Sequence, residues 1–432
     1  MIAQEALTRL QSMIDSVDPE DRDGEYCFFL PYSDLRGWVE QDDFLFRASE
    51  MLHLRRLDGV RTLSFVNYAG DNSWGKAATN YNQTRFDHSL GVARVDEEIS
   101  RRNSLSGKEV KIGVVSALIH DRATPAGGNA TKKVDPERLD EEIWWHEDLD
   151  HESEELFEEL GITQSQVDKI IHNRGMLGKI LDVADWITYV MKDLYEAVGH
   201  VGPQQWLEDS FLTECATVIA EDHAIGDIYK EVRIDAAQED VFFTDPQRLK
   251  RFLTLRALLH RDLYLDPISQ GKDLKTKLLI EKFYTRDESS PEDLLTPRRL
   301  REMTDYELTR YFADKCGCVD DFCSFSQEFY EWYPHHFERF EDVEQARNRE
   351  EELKNTPGIT VFGTREIKGF NPGTLLNVRS EDGTILPYRQ YDPKGAVKIE
   401  AMAQETKGVY VYYVVNEEEE SDFYRLFENN PV

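Results

Sequence analysis

The sequence predicts a mainly α protein with a smaller β-containing module at its C-terminal end. Helical apolar patterns run from Phe44 to about Glu159, from Gln164 to Asp193 and from Gln247 to Tyr284. After Lys354 the texture changes to short alternating apolar runs between Gly, Pro and Asp turns. The chain is also long enough, at 432 residues, to bury a large core.

Taken in order, residues 1–45 read as a lead-in, with Phe28-Phe-Leu-Pro31 as a short extended piece. Residues 46–355 read as a helical core with a helical extension, interrupted by a polar loop from Gly70 to Thr84. The run Ile112–Ile119 forms a buried helix ending at His120 and Asp121. Directly after that pair, the stretch from Arg122 to Lys133 contains Pro125, Gly127 and Gly128, which force irregular backbone. The acidic segment Asp135–Glu159 follows, its carboxylates expected mostly on a solvated helix face. Residues 356–432 form the β-containing module, with Thr356–Gly363 and Gly408–Val415 as strands and Glu417–Glu420 as an exposed charge run.

There are 84 acidic against 51 basic side chains, a formal net charge of −33. That argues against extended nucleic-acid binding and against an anionic membrane surface, where Lys and Arg must meet phosphate. A small polyphosphate remains compatible, because a focused cationic pocket overcomes a repulsive overall field. The apolar runs are too short to span a bilayer, and no basic-then-apolar leader opens the sequence. Cys316, Cys318 and Cys323 lack suitably spaced histidine partners and read as ordinary buried thiols; a reducing cytoplasm is expected.

The chemistry is carried by three separated stretches: Arg85-Phe-Asp-His88-Ser-Leu-Gly, Ala117-Leu-Ile-His120-Asp121 and Val183-Ala-Asp185-Trp-Ile-Thr-Tyr189. His88, His120, Asp121 and Asp185 form a mixed imidazole and carboxylate set that suits Mn, Fe, Co, Ni, Zn or Mg and leaves positions open for water and substrate. Neighbours on a helix point about 100° apart, so His120 and Asp121 reach one ion only if it sits off the end or rim of that helix. Asp182 is a rival to Asp185. Asp185, Tyr189 and Asp193 fall at i, i+4 and i+8, as do Arg256, His260 and Tyr264, so each set shares a helix face.

The order His, His-Asp, Asp resembles the HD-domain metal-dependent phosphohydrolases. With Leu54-Arg-Arg56, Arg256-Ala-Leu-Leu-His260-Arg261-Asp-Leu-Tyr264 and Leu300-Arg-Glu-Met-Thr-Asp305, it is more narrowly similar to the HD-domain deoxynucleoside triphosphate triphosphohydrolases. That family includes the sterile-alpha-motif/HD enzymes and the bacterial dGTP triphosphohydrolases; the resemblance covers about residues 25–310. It implies an HD helical core, Arg85 and Arg256 on phosphate, and Tyr189, Asp193 and Tyr264 on sugar or base. His151, with His146 as alternative, would protonate the leaving oxygen. The family's loop histidines are replaced by Thr124 and Asn129, and its sugar-screening glutamine falls near Thr62.

The expected activity is metal-dependent hydrolysis of a nucleoside triphosphate to nucleoside and tripolyphosphate, with Thr124 and Lys132 or Lys133 also facing substrate. The alternatives are another HD nucleotide phosphatase, phosphodiesterase or exonuclease, or a nucleotide-sensing protein without turnover. A divalent ion is the expected cofactor; the substrate and further copies of the chain are the expected partners.

Overall fold

The computed structural model describes residues 26–39, 43–63, 83–147, 149–199, 210–290, 294–318, 325–326, 329 and 334–415. Most of the Gly70–Thr84 loop, Cys323 and the Glu417–Glu420 run therefore lie outside the described residues. The fold is mainly α with a smaller β-containing C-terminal region, as the sequence predicts. Helices α1 (Phe44–Met51), α2 (Arg85–Arg102), α3 (Gly107–Ile119), α4 (His151–Leu160), α5 (Gln164–Ile171) and α6 (Gly175–Gly199) form the first half. Helices α7 (Ser210–Glu221), α8 (Pro246–Leu259), α9 (Pro267–Phe283), α10 (Pro297–Glu302) and α11 (Asp305–Cys316) follow. Helices α12 (Val343–Lys354) and α13 (Pro393–Glu405) belong to the C-terminal region.

Helix α2 starts at Thr84, whose hydroxyl accepts from the Asp87 backbone N–H, with Asp87 itself in the positive first turn. Helix α3 is closed by a reciprocal Ser106–Glu109 capping box and then runs almost wholly apolar to Ile119. These two helices pack against each other and against α6. Gly113 makes the approach possible: a Cβ there would stand 2.4 Å from Asp96 Oδ1 on α2. The surrounding core, with Val92, Val95, Val115, Leu118, Ile180 and Ile187 fully or nearly fully buried, holds the ends of three helices in fixed relation.

Among the described residues nine strands form three sheets: β1 (Tyr26–Phe29) with β2 (Arg36–Val39); β3 (Val232–Asp235), β4 (Asp240–Phe243), β7 (Asn377–Arg379) and β8 (Ile385–Pro387); and β5 (His336–Phe340), β9 (Gly408–Val415) and β6 (Ile359–Ile367). Pairing is antiparallel except between β4 and β7. A bulge between Val361 and Gly363 bends β6, with Gly363 at φ +120°. Strand β5, which precedes residue 356, belongs to the three-stranded sheet, helix α12 packs against that sheet, and β7–β8 extend the β3–β4 hairpin instead. A second buried cluster joins α9 and α11 to β6 and β9 through Leu279, Phe312 and Tyr412. Cys316 and Cys318, on either side of the left-handed Gly317 that caps α11, are free of disulfides and half-buried rather than buried. Among the described residues no helix is long and apolar enough to cross a membrane.

Burial pushes the Asp96 carboxyl up to about 8, against a lowering bond from Ser100. Its folded-state pKa thus exceeds its unfolded value of roughly 3.9. The extra proton bound by the folded state stabilises it fully below the unfolded value, and that contribution is lost as pH rises through about 8. Asp96→Asn should therefore flatten the decline of the thermal midpoint between about pH 5 and about pH 9. Midpoints of wild type and variant that decline in parallel would overturn this account.

Candidate metal centre and cleft

Helix α3 is capped at its C-terminal end by His120, so His120 and Asp121 leave its last turn together, off the helix end, one of the two placements the adjacency allows. The His120 Nδ1–H donates to the Ala117 carbonyl at 2.6 Å, which turns Nε2 outward. His88, from the first turn of α2, brings its Nε2 to 3.7 Å from Asp121 Oδ2. Ligand atoms of His88, His120 and Asp121 all lie within 4.8 Å of one another. Asp185 on α6 completes the set, its Oδ1 at 2.9 Å from His88 Nε2 and 3.9 Å from His120 Nε2. Two imidazoles and two carboxylates converging from three helices suit a divalent ion. Asp182, one turn earlier, accepts instead from Asn173 at 3.3 Å.

Burial alone would push the Asp121 carboxyl up, but Arg85, His120 and His88 together hold it well below the usual carboxylate range. The closest of these is Arg85, whose guanidinium donates to Asp121 Oδ2 at 2.7 Å. Asp182 is pushed to about 6, first by burial and then by Asp185. The lower pKa belongs to the carboxylate beside the two histidines, which is the one a cation needs ionised.

The centre opens on two spaces. A small pocket of about 210 Å³ is bordered by His120, Asp121, Glu141 and Asp182; a cleft of about 710 Å³ runs along α6 and α8. Arg85, His88 and Asp185 border both. Asp185, Tyr189 and Asp193 all line the cleft, as their spacing predicts. Arg256, His260 and Tyr264 line it too, although the last two lie in a π-helical turn, His260–Tyr264, and not on a regular α-helix. That wider turn still brings the Tyr264 hydroxyl onto Asp193, to which it donates. Burial pushes Asp193 up to about 8, and its Oδ1 has no partner among the described residues.

Arg256 is buried and held on several sides. Its Nε donates to the Tyr189 hydroxyl at 2.6 Å, a second nitrogen donates to the Asn371 carbonyl, and the guanidinium lies 3.9 Å from the Trp186 ring centroid. His260 stacks on Phe370 with centroids 4.1 Å apart, and burial holds its pKa well below the usual value, in the neutral form. Thr62, Asn129, Lys132 and Lys133 also border the cleft, Lys132 paired with Glu141.

Other expected site residues stand elsewhere. Thr124 is fully buried beneath the centre, with its hydroxyl 3.5 Å from Asp121 Oδ1, so it touches the ligand and not the cleft. His151 opens α4 with its side chain 83% exposed, 3.6 Å from Glu155. His146 is exposed and edge-on to Trp145. Neither histidine borders the cleft among its described lining residues. The acidic segment is not wholly solvated: Asp135 and Glu141 are buried and paired with Arg286 and Lys132. A second group, His53, Asp150 and Glu152, is wholly exposed and satisfied within itself.

Trp186, Glu141, Phe370 and Asn371 were not singled out as site residues from sequence. Trp186 sits inside the quoted Asp185 motif and could have been found there; Phe370 and Asn371 lie more than 100 residues from Arg256, and no periodicity links them.

No family model matches the chain, and no curated protein matches its sequence. Solved structures do. One is a hypothetical protein from Aquifex aeolicus, 15% identical, with a TM-score of 0.60 over 93% of this chain and 100% of that one. Another is a phosphohydrolase from Bacteroides thetaiotaomicron, 14% identical, with a TM-score of 0.58 over 90% of this chain and 99% of that one. The chain shares their fold over nearly its whole length.

His120→Ala should lower bound divalent metal, measured by elemental analysis after dialysis, while circular dichroism retains the helical signal. Asp121→Ala should do the same but also cost about 3–5 kcal/mol of stability, because it strands the buried Arg85 charge. Wild-type metal content in both variants would refute the site.

Proposed function

We propose that this chain is a metal-dependent phosphohydrolase acting on nucleoside triphosphates, releasing nucleoside and tripolyphosphate. The carrying observation is a pair of buried polar atoms in the cleft walls. Beside the His/Asp centre, Arg85 has a buried donor, Nε, without a partner among the described residues; farther along α6, Asp193 Oδ1 is a buried acceptor in the same condition. Asp185 and Asp193 are eight residues apart on α6, about 12 Å along its axis. Phosphate at the first end and a sugar hydroxyl at the second would satisfy both atoms, and unsatisfied buried polar groups are costly. The name of the B. thetaiotaomicron neighbour, phosphohydrolase, supports the reaction class.

His88, His120, Asp121 and Asp185 would hold the ion, which supplies Lewis-acid polarisation of phosphate and acidifies water. Arg85 orients the attacked phosphate and balances its charge. Arg256 is already fixed by Tyr189, Asn371 and Trp186, so its remaining donors can meet phosphate without reordering. Asp193, protonated at neutral pH, can donate to or accept from a hydroxyl, while Tyr189 and Tyr264 set an aromatic wall for sugar or base.

The exposed positions of His146 and His151 favour a second reading. Breaking the bond to the 5′ oxygen expels a poor leaving group that needs a proton, and neither histidine stands in the cleft to give one. In the first reading, cleft water supplies that proton. Hydrolysis at an outer phosphate expels a stable phosphate anion and needs no such acid. It would make the chain a nucleotide phosphatase on the same metal centre.

Phosphate speciation after incubation with each ribo- and deoxyribonucleoside triphosphate and a divalent metal separates the two. Nucleoside with intact tripolyphosphate is the expected result; nucleoside diphosphate with orthophosphate would replace it by the second reading. Binding without turnover under every metal would remove both and leave a sensor.

Arg256→Lys keeps the charge but loses the fork that bridges Tyr189 and Asn371 and the planar face on Trp186. Loss of one to two charge-assisted bonds, at about 1.5–3 kcal/mol each, should lower kcat/KM by roughly tenfold or more. Unchanged steady-state kinetics would remove Arg256 from the substrate clamp.

A further inference from the structure

A second groove, of about 410 Å³, continues from the cleft and shares Lys133, Leu265 and Gln270 with it. Its walls carry Lys133, Lys277, Arg365 and Lys368. In a chain with a net charge of −33, four cations against one lining carboxylate, Glu366, on one small groove are a local reversal of sign. Two of them are fixed in place. Asp273, buried, takes Lys133 Nζ at 2.8 Å and Arg365 at 3.2 Å on the same oxygen, and Arg365 also donates to the Gln270 carbonyl at 2.8 Å. Burial alone would push the Asp273 carboxyl up, but Lys133 and Arg365 hold it below its ordinary value, so it stays ionised and keeps the two cations side by side. Lys277, paired with Glu281 at 2.6 Å, and the exposed Lys368, 3.9 Å from Glu366, border the rest.

We propose that this groove is an anion subsite for a linear phosphoanhydride chain leading away from the metal centre. Lys133 has three N–H groups and Arg365 five, so their bonds to Asp273 and Gln270 leave donors for phosphate oxygens. The apolar lining is aliphatic, from Leu265, Leu274 and Ile367, and gives a nucleobase no ring to stack on. A bare phosphate chain therefore fits better than a nucleic-acid strand. The chain could be the tail of a nucleotide in the cleft or free polyphosphate. Only its use in turnover rests on the phosphohydrolase reading; its binding does not.

The test is calorimetric titration of the full chain with inorganic tripolyphosphate, with a nucleoside triphosphate and with a thymidine oligonucleotide. The variant is Lys277→Gln/Lys368→Gln, which alters half-buried and exposed side chains. Tripolyphosphate should bind wild type, and its Kd should rise at least about tenfold in the double variant, while metal content at the His/Asp centre stays unchanged. A parallel weakening of the nucleoside triphosphate assigns the groove to a nucleotide tail; weakening of tripolyphosphate alone assigns it to free polyphosphate. Equal tripolyphosphate affinity in wild type and double variant, or tighter groove-dependent binding of the oligonucleotide, overturns the proposal. Groove-dependent binding with neither nucleoside nor orthophosphate released in the turnover assay would leave the subsite standing and remove the hydrolytic reading, and turnover with no groove-dependent binding would remove only the subsite.

Discussion

The buried ion pair between Arg85 and Asp121 is the interaction on which the centre depends. A carboxylate this deeply buried would ordinarily bind a proton, and a protonated Asp121 would offer a cation only a weak neutral oxygen. Arg85 at 2.7 Å keeps it charged, and His88 and His120 stand 3.7 and 3.6 Å from the same oxygen. Both partners are fixed by packing: Arg85 opens α2, Asp121 follows the end of α3, and Gly113 lets those helices approach. Helix geometry and site electrostatics are therefore one constraint. A shift of α3 that separated Asp121 from Arg85 would leave two buried, uncompensated charges.

The C-terminal region enters this arrangement through Arg256. The loop after β6 sends the Asn371 carbonyl to its guanidinium and Phe370 against His260. Gly373, at φ +75°, makes the return possible, since a Cβ there would stand 2.8 Å from the Trp186 ring. The loop after β6 thus completes the far wall of the cleft. His260 is kept neutral by the same burial, which places an uncharged ring next to a fixed cation.

Much of this was legible in the sequence, for physical reasons that differ by residue. His120 and Asp121 end a continuous apolar run, so their place at a helix terminus follows from the letters. Tyr189 and Asp193 keep helical spacing with Asp185, and a regular helix preserves it. The Arg256 set was legible only in part, because the π turn at His260–Tyr264 departs from the spacing that grouped those residues. His151 was drawn toward the site by its position in a motif, yet its first-turn place on α4, among Glu152, Glu154 and Glu155, turns it to solvent. The contacts of Phe370 and Asn371 depend on tertiary return of the chain, which local periodicity does not encode.

Charge distribution links these pieces. The acidic surface repels polyanions as a whole, but four of the cations near the cleft are held by buried carboxylates: Arg85 by Asp121, Lys132 by Glu141, and Lys133 with Arg365 by Asp273. Such pairing keeps each cation ordered before any anion arrives, so little side-chain entropy is lost on binding. It also lowers the net attraction, because each paired carboxylate opposes the ligand. The arrangement consequently favours anions that offer several oxygens at once over a single orthophosphate. Each fixed donor adds one contact to a ligand already oriented, whereas a lone phosphate meets only one pre-neutralised pair. Selectivity for chain length would then arise from the spacing of pre-paired cations and not from overall positive charge.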